Sequence, residues 1–498
     1  MFESAELGQT IDDATFAKEV PQLRADLLDA QYDLLDKKRF AVVILVNGVD
    51  GAGKGETVNL LNEWMDPRYI QSQAFVEPTQ DEAQRPPMWR FWQALPPKGR
   101  IGVLFGSWYT MPILRRVRRQ STKGALTFEI ERIRRFEKML HDEGVLLLKF
   151  WFHLSRKVQK KRLETLSANR RTRWRVTAQD WANFAHYDRF ARVSERVLRE
   201  TSSGEAPWLV VEGADANYRS LTVGRAVLEA MRSRLAQPEP PPTPQDAAAS
   251  ALVRVVDTSG ILRSLPFKER MSKERYATEI EKAQRRLNAL SRDPGFQKRS
   301  AIVVFEGMDA AGKGGAIRRV TQALAARYYR GIPIAAPTEE ERAQPYLWRF
   351  WRHMPILGRF LLFDRSWYGR VLVERVEGFC SAGAWTRAYS ELNDFEEQLD
   401  EHGYTVVKLW LAISKDEQLR RFKERQKTRF KRFKITKEDW RNRDKWDAYE
   451  DAASDMIDRT STSFSPWTVI EANDKHLARV RVVQTICQRI AGALSRKR

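Results

Sequence analysis

An apolar run that ends in a glycine loop and a lysine occurs twice in this chain. Ala41-Val42-Val43-Ile44-Leu45-Val46 leads into Gly48-Val49-Asp50-Gly51-Ala52-Gly53-Lys54-Gly55. Ala301-Ile302-Val303-Val304-Phe305 leads into Gly307-Met308-Asp309-Ala310-Ala311-Gly312-Lys313-Gly314. A buried strand, the spacing G-x-x-x-x-G-K and a following helix together make a phosphate cradle. The glycines let several N–H groups turn inward, the helix adds the positive end of its dipole, and the lysine adds a mobile cation. Each copy therefore predicts strand, loop and helix in succession.

The duplication extends well beyond the loops. Gly48 and Gly307 are 259 residues apart, and the same offset links Trp89 to Trp348, Ser107 to Ser366, Lys149 to Lys408, Trp181 to Trp440, Trp208 to Trp467 and Glu212 to Glu471. A constant offset means two copies of one domain with no net insertion between them. Between the copies, Gln237-Pro238-Glu239-Pro240-Pro241-Pro242-Thr243-Pro244 reads as a semi-rigid polyproline spacer. The expected organisation is a first domain over 1–235, a linker over 236–252 and a second domain over 253–498. In the first copy a helix is expected from about Asp12 to Lys37, with strands at Ile101 to Phe105, Val145 to Phe152 and Trp208 to Glu212. Helices between successive strands predict an α/β class: two copies of one alternating β/α domain, each with helices covering a mainly parallel sheet.

With 498 residues and 42% apolar content, the chain can build more than one core. Two cysteines, Cys380 and Cys487, give no disulfide framework and suit a reducing compartment. The acidic N-terminal residues do not read as a secretory signal, and the longest apolar runs are of strand length. A soluble, cytoplasmic protein with no membrane partner is expected. The scattered histidines offer no zinc motif. The net charge of +21 favours a polyanionic partner.

The copies diverge after their second apolar strand. The later one reads Phe363-Asp364-Arg365-Ser366-Trp367-Tyr368, the earlier one Leu104-Phe105-Gly106-Ser107-Trp108-Tyr109. An acidic residue closing a strand beside a phosphate loop is where nucleoside-triphosphate enzymes hold magnesium, and arginine screens a transferring phosphoryl group. Phe105 and Gly106 can do neither. Arg370 likewise becomes Met111 and Glu374 becomes Arg115. Catalysis is therefore expected in the second copy, while Asp50, Gly53 and Lys54 of the degenerate first copy retain phosphate-binding character. Gly314 replaces the Ser or Thr that normally ligates magnesium after the lysine, and Asp309 inside the loop is expected to hold magnesium or orient the attacking group, with Asp364 helping. Asp309 and Asp364 are the expected metal ligands.

Two further segments bear on the substrate. Trp348-Arg349-Phe350-Trp351, with Arg359, lies where lids over reacting phosphates occur, although the tryptophans suit core packing better. The run from Arg420 to Lys434 is the most basic in the chain, and its cations are expected to contact the substrate's phosphates.

The loop Gly307–Gly314, Pro337-Thr338 with Trp348-Arg349-Phe350-Trp351, Asp364-Arg365-Ser366-Trp367-Tyr368, Lys408-Leu409-Trp410-Leu411 and Lys445-Trp446-Asp447-Ala448-Tyr449 together resemble the family-2 polyphosphate kinases. The fused two-domain form resembles the branch that makes ADP from AMP. The resemblance implies two tandem P-loop kinase domains of a thymidylate-kinase-like three-layer α/β/α fold with mainly parallel sheets, a lid over a polyphosphate channel, and transfer of the terminal phosphate of inorganic polyphosphate to AMP with Mg2+ or Mn2+. It implies catalytic roles for Asp309, Lys313, Asp364 and Arg365. Gly307, Ala310, Ala311, Gly312, Lys313, Gly314, Arg349, Arg359 and Arg370 are expected to bind phosphate, and Glu374 to contact the nucleotide. AMP or ADP and polyphosphate are the expected partners, with no specific nucleic acid and with a homo-oligomer left open. The alternatives are an ADP kinase making ATP, an ATP-dependent kinase, and a non-catalytic polyanion or RNA scaffold.

Overall fold

The structure is a computed structural model that describes residues 1–238, 260–429 and 435–496. The linker prolines from Pro240 on, and Phe430 to Lys434 of the basic run, lie outside the described residues. The chain divides into two compact units. One comprises Met1–Thr79, Met88–Glu239 and Pro337–Arg352; the other comprises Gln80–Pro87, Pro240–Ala336 and His353–Arg498.

The first unit contains β1 (Val42–Gly48), β2 (Ile70–Ala74), β3 (Ile101–Phe105), β4 (Leu146–His153) and β5 (Trp208–Glu212). All pairings are parallel, in the order β2-β3-β1-β4-β5. Its helices include α1 (Asp13–Lys37), α2 (Lys54–Trp64), α3 (Lys123–Asp142), α4 (Arg156–Ala168), α5 (Ala178–Phe184), α6 (Tyr187–Thr201) and α7 (Ala216–Ala236). Strand alternation sends Val42, Ile44 and Val46 into one core with Leu27, Leu61 and Val227 of α1, α2 and α7. Burial on both faces is why β1 is an unbroken apolar run rather than an alternating one.

The second unit repeats the plan. Its strands are β6 (Ser300–Gly307), β7 (Tyr329–Pro333), β8 (Phe360–Asp364), β9 (Tyr404–Ala412) and β10 (Trp467–Glu471), in the order β7-β8-β6-β9-β10. Its helices are α8 (Lys273–Ser291), α9 (Lys313–Thr321), α10 (Ala382–His402), α11 (Lys415–Lys427), α12 (Lys437–Asp444), α13 (Trp446–Thr460) and α14 (Lys475–Ser495). The expected α/β class with two parallel sheets and flanking helices is thus borne out. The edge strands β2 and β7 go beyond the expectation: they are mostly exposed and polar, so they carry no apolar signal.

One buried polar cluster recurs in both units. Lys408 Nζ meets Glu396 at 2.7 Å and the Thr460 carbonyl at 2.6 Å, while Tyr368 and Trp367 donate to the other carboxylate oxygen. Lys149, Glu137, Thr201, Tyr109 and Trp108 repeat it. The shared lysine is thus a structural anchor that ties β9 (or β4) to the neighbouring helices. The buried Trp348 and Trp351 are also core residues, and Trp351 stacks on Trp92 within the first unit.

Candidate active site

Parallel strands end together, so the loops that leave them gather along one edge of the sheet. Register places Phe305 beside Asp364 and Gly307 beside Leu411. Gly307 has φ +139°, and a Cβ there would collide with the Leu411 carbonyl. This close approach demands glycine. Gly312 caps α9 at φ +108°, and Lys313 is the first helical residue. Lys313 Nζ donates to the Gly307 carbonyl at 2.6 Å.

Asp309 lies inside the loop. One oxygen accepts from Arg365 Nη2 at 3.0 Å, the other from Asn442 Nδ2 at 2.8 Å. Burial alone would raise its carboxyl; Lys313, Arg365 and Asn442 outweigh burial and hold it below the usual range. Arg365 has φ +65° and Ala310 φ +64°, where the first copy has Gly106 and Gly51. Left-handed backbone costs a residue with a Cβ about 1–2 kcal/mol, so the second copy holds Arg365 in place against strain.

The Asp364 carboxylate, at the end of β8, makes no hydrogen bond or ion pair with another described side chain, while its carbonyl accepts from the Ile334 N–H. It lines a cleft of about 920 Å³ together with Asp309, Lys313 and the loop. Among the described residues no three His, Cys, Asp or Glu side chains form a closed metal cage. A partnerless carboxylate facing the cleft beside Asp309 nevertheless suits magnesium, which takes one or two carboxylates and completes its shell with substrate phosphates and water.

Several residues here escape the motif reading. Glu306, 4% exposed, accepts from Ser366 Oγ at 2.8 Å. Burial pushes its carboxyl upward; Lys313 and Arg365 partly offset this, and Asp364 adds to it. Its counterpart is Asn47, so the pair is a further difference between the copies that the constant offset could have found. Arg421, 2% exposed, donates to the Ala310, Ala311, Ala472 and Asn473 carbonyls and to Glu417. It holds the loop from behind through its carbonyls, where the basic run led to the expectation of contacts with the substrate's phosphates. Phe422 of the same run is core, packed on Trp440. Gln418 donates to the Asp309 carbonyl. From Asn442 a chain continues through the Tyr449 hydroxyl to Glu377, which also meets Lys445 and Arg441.

The outlying candidates are not gathered with this set. Arg359 precedes β8, at the opposite end of the strand from Asp364, with its guanidinium over the Tyr328 ring. Arg349 belongs to the first unit and is paired with Glu341 at 3.2 Å. Arg370 and Glu374 follow Arg365 and pair with each other at 3.2 Å.

In the first unit Lys54 Nζ donates to the Gly48 carbonyl, and Asp50 keeps Asn183. Burial lowers the Lys54 ammonium, offset in part by Asp50. Phe105 and Gly106 line a cavity of about 200 Å³ with a largely apolar wall.

The family model for Polyphosphate kinase 2 (PPK2) matches residues 10–239 and again 270–498. The chain belongs to the polyphosphate kinase 2 family. Within it, the chain is 56% identical to a polyphosphate:AMP phosphotransferase of Pseudomonas aeruginosa, over 99% of each sequence. It is 53% identical to one of Pseudomonas syringae pv. tomato, over 100% of this chain and 99% of that one. An ADP-polyphosphate phosphotransferase of Pseudomonas aeruginosa is 37% identical over 44% of this chain and 72% of its own. A crystal structure of a polyphosphate kinase 2 from Pseudomonas aeruginosa PA01 superposes with a TM-score of 0.89 at 55% identity, covering 99% of both chains. As a polyphosphate kinase 2 with two matched regions, the chain is a phosphotransferase whose duplicated architecture is shared with its full-length relatives.

Proposed function

We propose that this enzyme transfers the terminal phosphate of inorganic polyphosphate to AMP, giving ADP, and that the second unit performs the transfer. The observation that carries this is the set Asp309, Lys313, Asp364 and Arg365 at the mouth of the large basic cleft, of which the first unit lacks Asp364 and Arg365. Full-length relatives named polyphosphate:AMP phosphotransferases support AMP as acceptor. Domains over 1–235 and 253–498, joined by 236–252, and a cytoplasmic location belong to the same proposal. Among the described residues no helix is long and apolar enough to cross a membrane.

The loop amides from Ala310 to Gly314, the Lys313 ammonium and the α9 N-terminus hold the donor's terminal phosphates. Arg365 faces the transferring group and screens its charge. Asp309 is kept ionised and fixed by Asn442 and Arg365, and Asp364 lines the same cleft. These two carboxylates would hold Mg2+ or Mn2+, which supplies charge neutralisation when bound. The acceptor phosphate of AMP, with a second pKa near 6, is already largely ionised at neutral pH, so no strong general base is required. Arg370, held by Glu374, is the remaining candidate for an acceptor contact. Arg349 and Arg359 take no part in this proposal.

Pure protein given Mg2+, long-chain polyphosphate and AMP, without ATP, should form ADP. ATP formed from ADP as the main product would keep the family and move the acceptor. Transfer from ATP alone would overturn the donor.

A further inference from the structure

The two cradles differ in what already occupies them. Glu56 sits in the first turn of α2, at the positive end of the helix and beside the first phosphate loop. Its carboxylate takes Arg219 Nη2 at 2.8 Å, Arg175 Nη2 at 2.8 Å and Arg162 Nη2 at 3.4 Å. Arg219 is 1% exposed, donates also to Thr57 Oγ1 and the Gly213 carbonyl, and lies so close to Gly53 that a Cβ there would fall inside its guanidinium. Burial alone would raise the Glu56 carboxyl; Arg175, Arg219 and Arg162 outweigh burial and hold it below its usual range.

The same place in the second unit is Gly315, which lines the 920 Å³ cleft, and Arg219 is replaced there by Ala478. The cleft's cations change as well. Arg318, Arg319, Arg425, Lys475 and Arg479 of the second unit correspond to Asn59, Leu60, Leu166, Ala216 and Ser220 of the first. The first cradle has therefore lost five of the cations that would draw in a polyanion. It also holds three guanidinium groups already satisfied by a carboxylate. An incoming phosphate would have to displace Glu56 and break charge-assisted bonds worth about 1.5–3 kcal/mol each.

We propose that Glu56 is a resident anion that fills the phosphate position of the first cradle and excludes polyphosphate from it. The intact chain then binds polyphosphate at one place only. The retained Asp50, Gly53 and Lys54 do not make a second donor site. The identity of the donor rests on the function proposed above; the closure of the first cradle does not.

The test is a calorimetric titration of the full chain with inorganic triphosphate. Wild type should bind one equivalent, and Lys313→Ala should abolish that binding. Adding Glu56→Gly to Lys313→Ala frees Arg162, Arg175 and Arg219 and should restore one equivalent that Lys313→Ala alone does not bind. Further addition of Lys54→Ala should remove it again. A Lys313→Ala protein that still binds one equivalent through Lys54 would overturn the proposal. So would a folded Glu56→Gly protein with no gain. Should Glu56→Gly fail to fold, Glu56→Gln keeps the shape without the charge and must show a gain in the same direction. A wild type that binds no triphosphate would overturn the donor assignment, and Glu56→Gly against wild type would still decide whether Glu56 closes the first cradle.

Discussion

Arg365 stands in left-handed backbone where the first copy has glycine, and it is held there by a hydrogen bond to Asp309. Because glycine already serves at that position in the other copy, Arg365→Gly should keep the fold. Turnover should fall about 10³–10⁵-fold, the range for losing an arginine that screens phosphoryl charge. Thermal melting within a few degrees of wild type together with that kinetic loss is the expected pair; an active Arg365→Gly protein would remove the residue from the mechanism. At this scale Asp309, Lys313, Asp364 and Arg365 are recognisable from sequence because each sits at a fixed place relative to a glycine loop or a strand end. Glu306 is not, since a carboxylate at the end of an apolar strand looks like the start of the loop until it is set beside Asn47. Arg421 is not either. A cation among cations carries no sign of which helix face it occupies, and only the fold turns it under the loop.

The loop is shaped by α11, whose Arg421 is fixed by Glu417 at 2.6 Å. Burial alone would raise the Glu417 carboxyl, but Arg420 and Arg421 bring it down to about 2. Its folded value lies below the unfolded one, so its contribution is present above pH 4.5 and is lost as pH falls toward 2. Glu417→Gln should therefore melt below wild type at neutral pH, and the two should converge as pH is lowered from 4.5 toward 2. A gap that stays constant across that range would mean the pair contributes nothing through charge. The elements themselves were readable in proportion to burial. The helix at Asp13–Lys37 and the strands at Ile101–Phe105 and Trp208–Glu212 fall where the pattern puts them. The exposed edge strands β2 and β7, rich in Gln, Arg, Gly and Pro, have no apolar period to reveal them.

Across the whole molecule, both copies keep what builds each sheet and differ in the residues proposed to work on substrate. The Lys–Glu–Tyr–Trp cluster is kept in both units, while Glu306, Asp364, Arg365 and the cleft cations belong to the second. Removing one partner of a buried ion pair costs about 3–5 kcal/mol. Glu137→Ala should thus destabilise the first unit and Glu396→Ala the second, each by that order in denaturant titration. The constant 259-residue offset made the repeat visible from sequence, as did the proline-rich stretch between the copies. The sequence does not reveal that the stretches Gln80–Pro87 and Pro337–Arg352 each belong to the unit of the other copy, because no local pattern records which core a short aromatic insert joins.

The central claim is that the second unit alone moves phosphate from polyphosphate to AMP. Wild type, Lys313→Ala and Lys54→Ala should be assayed side by side with Mg2+, polyphosphate and AMP in the absence of ATP, resolving the nucleotides. ADP from wild type and Lys54→Ala, with a loss of about 10²–10³-fold or more in Lys313→Ala, is the predicted result. Equal losses in the two variants would contradict it.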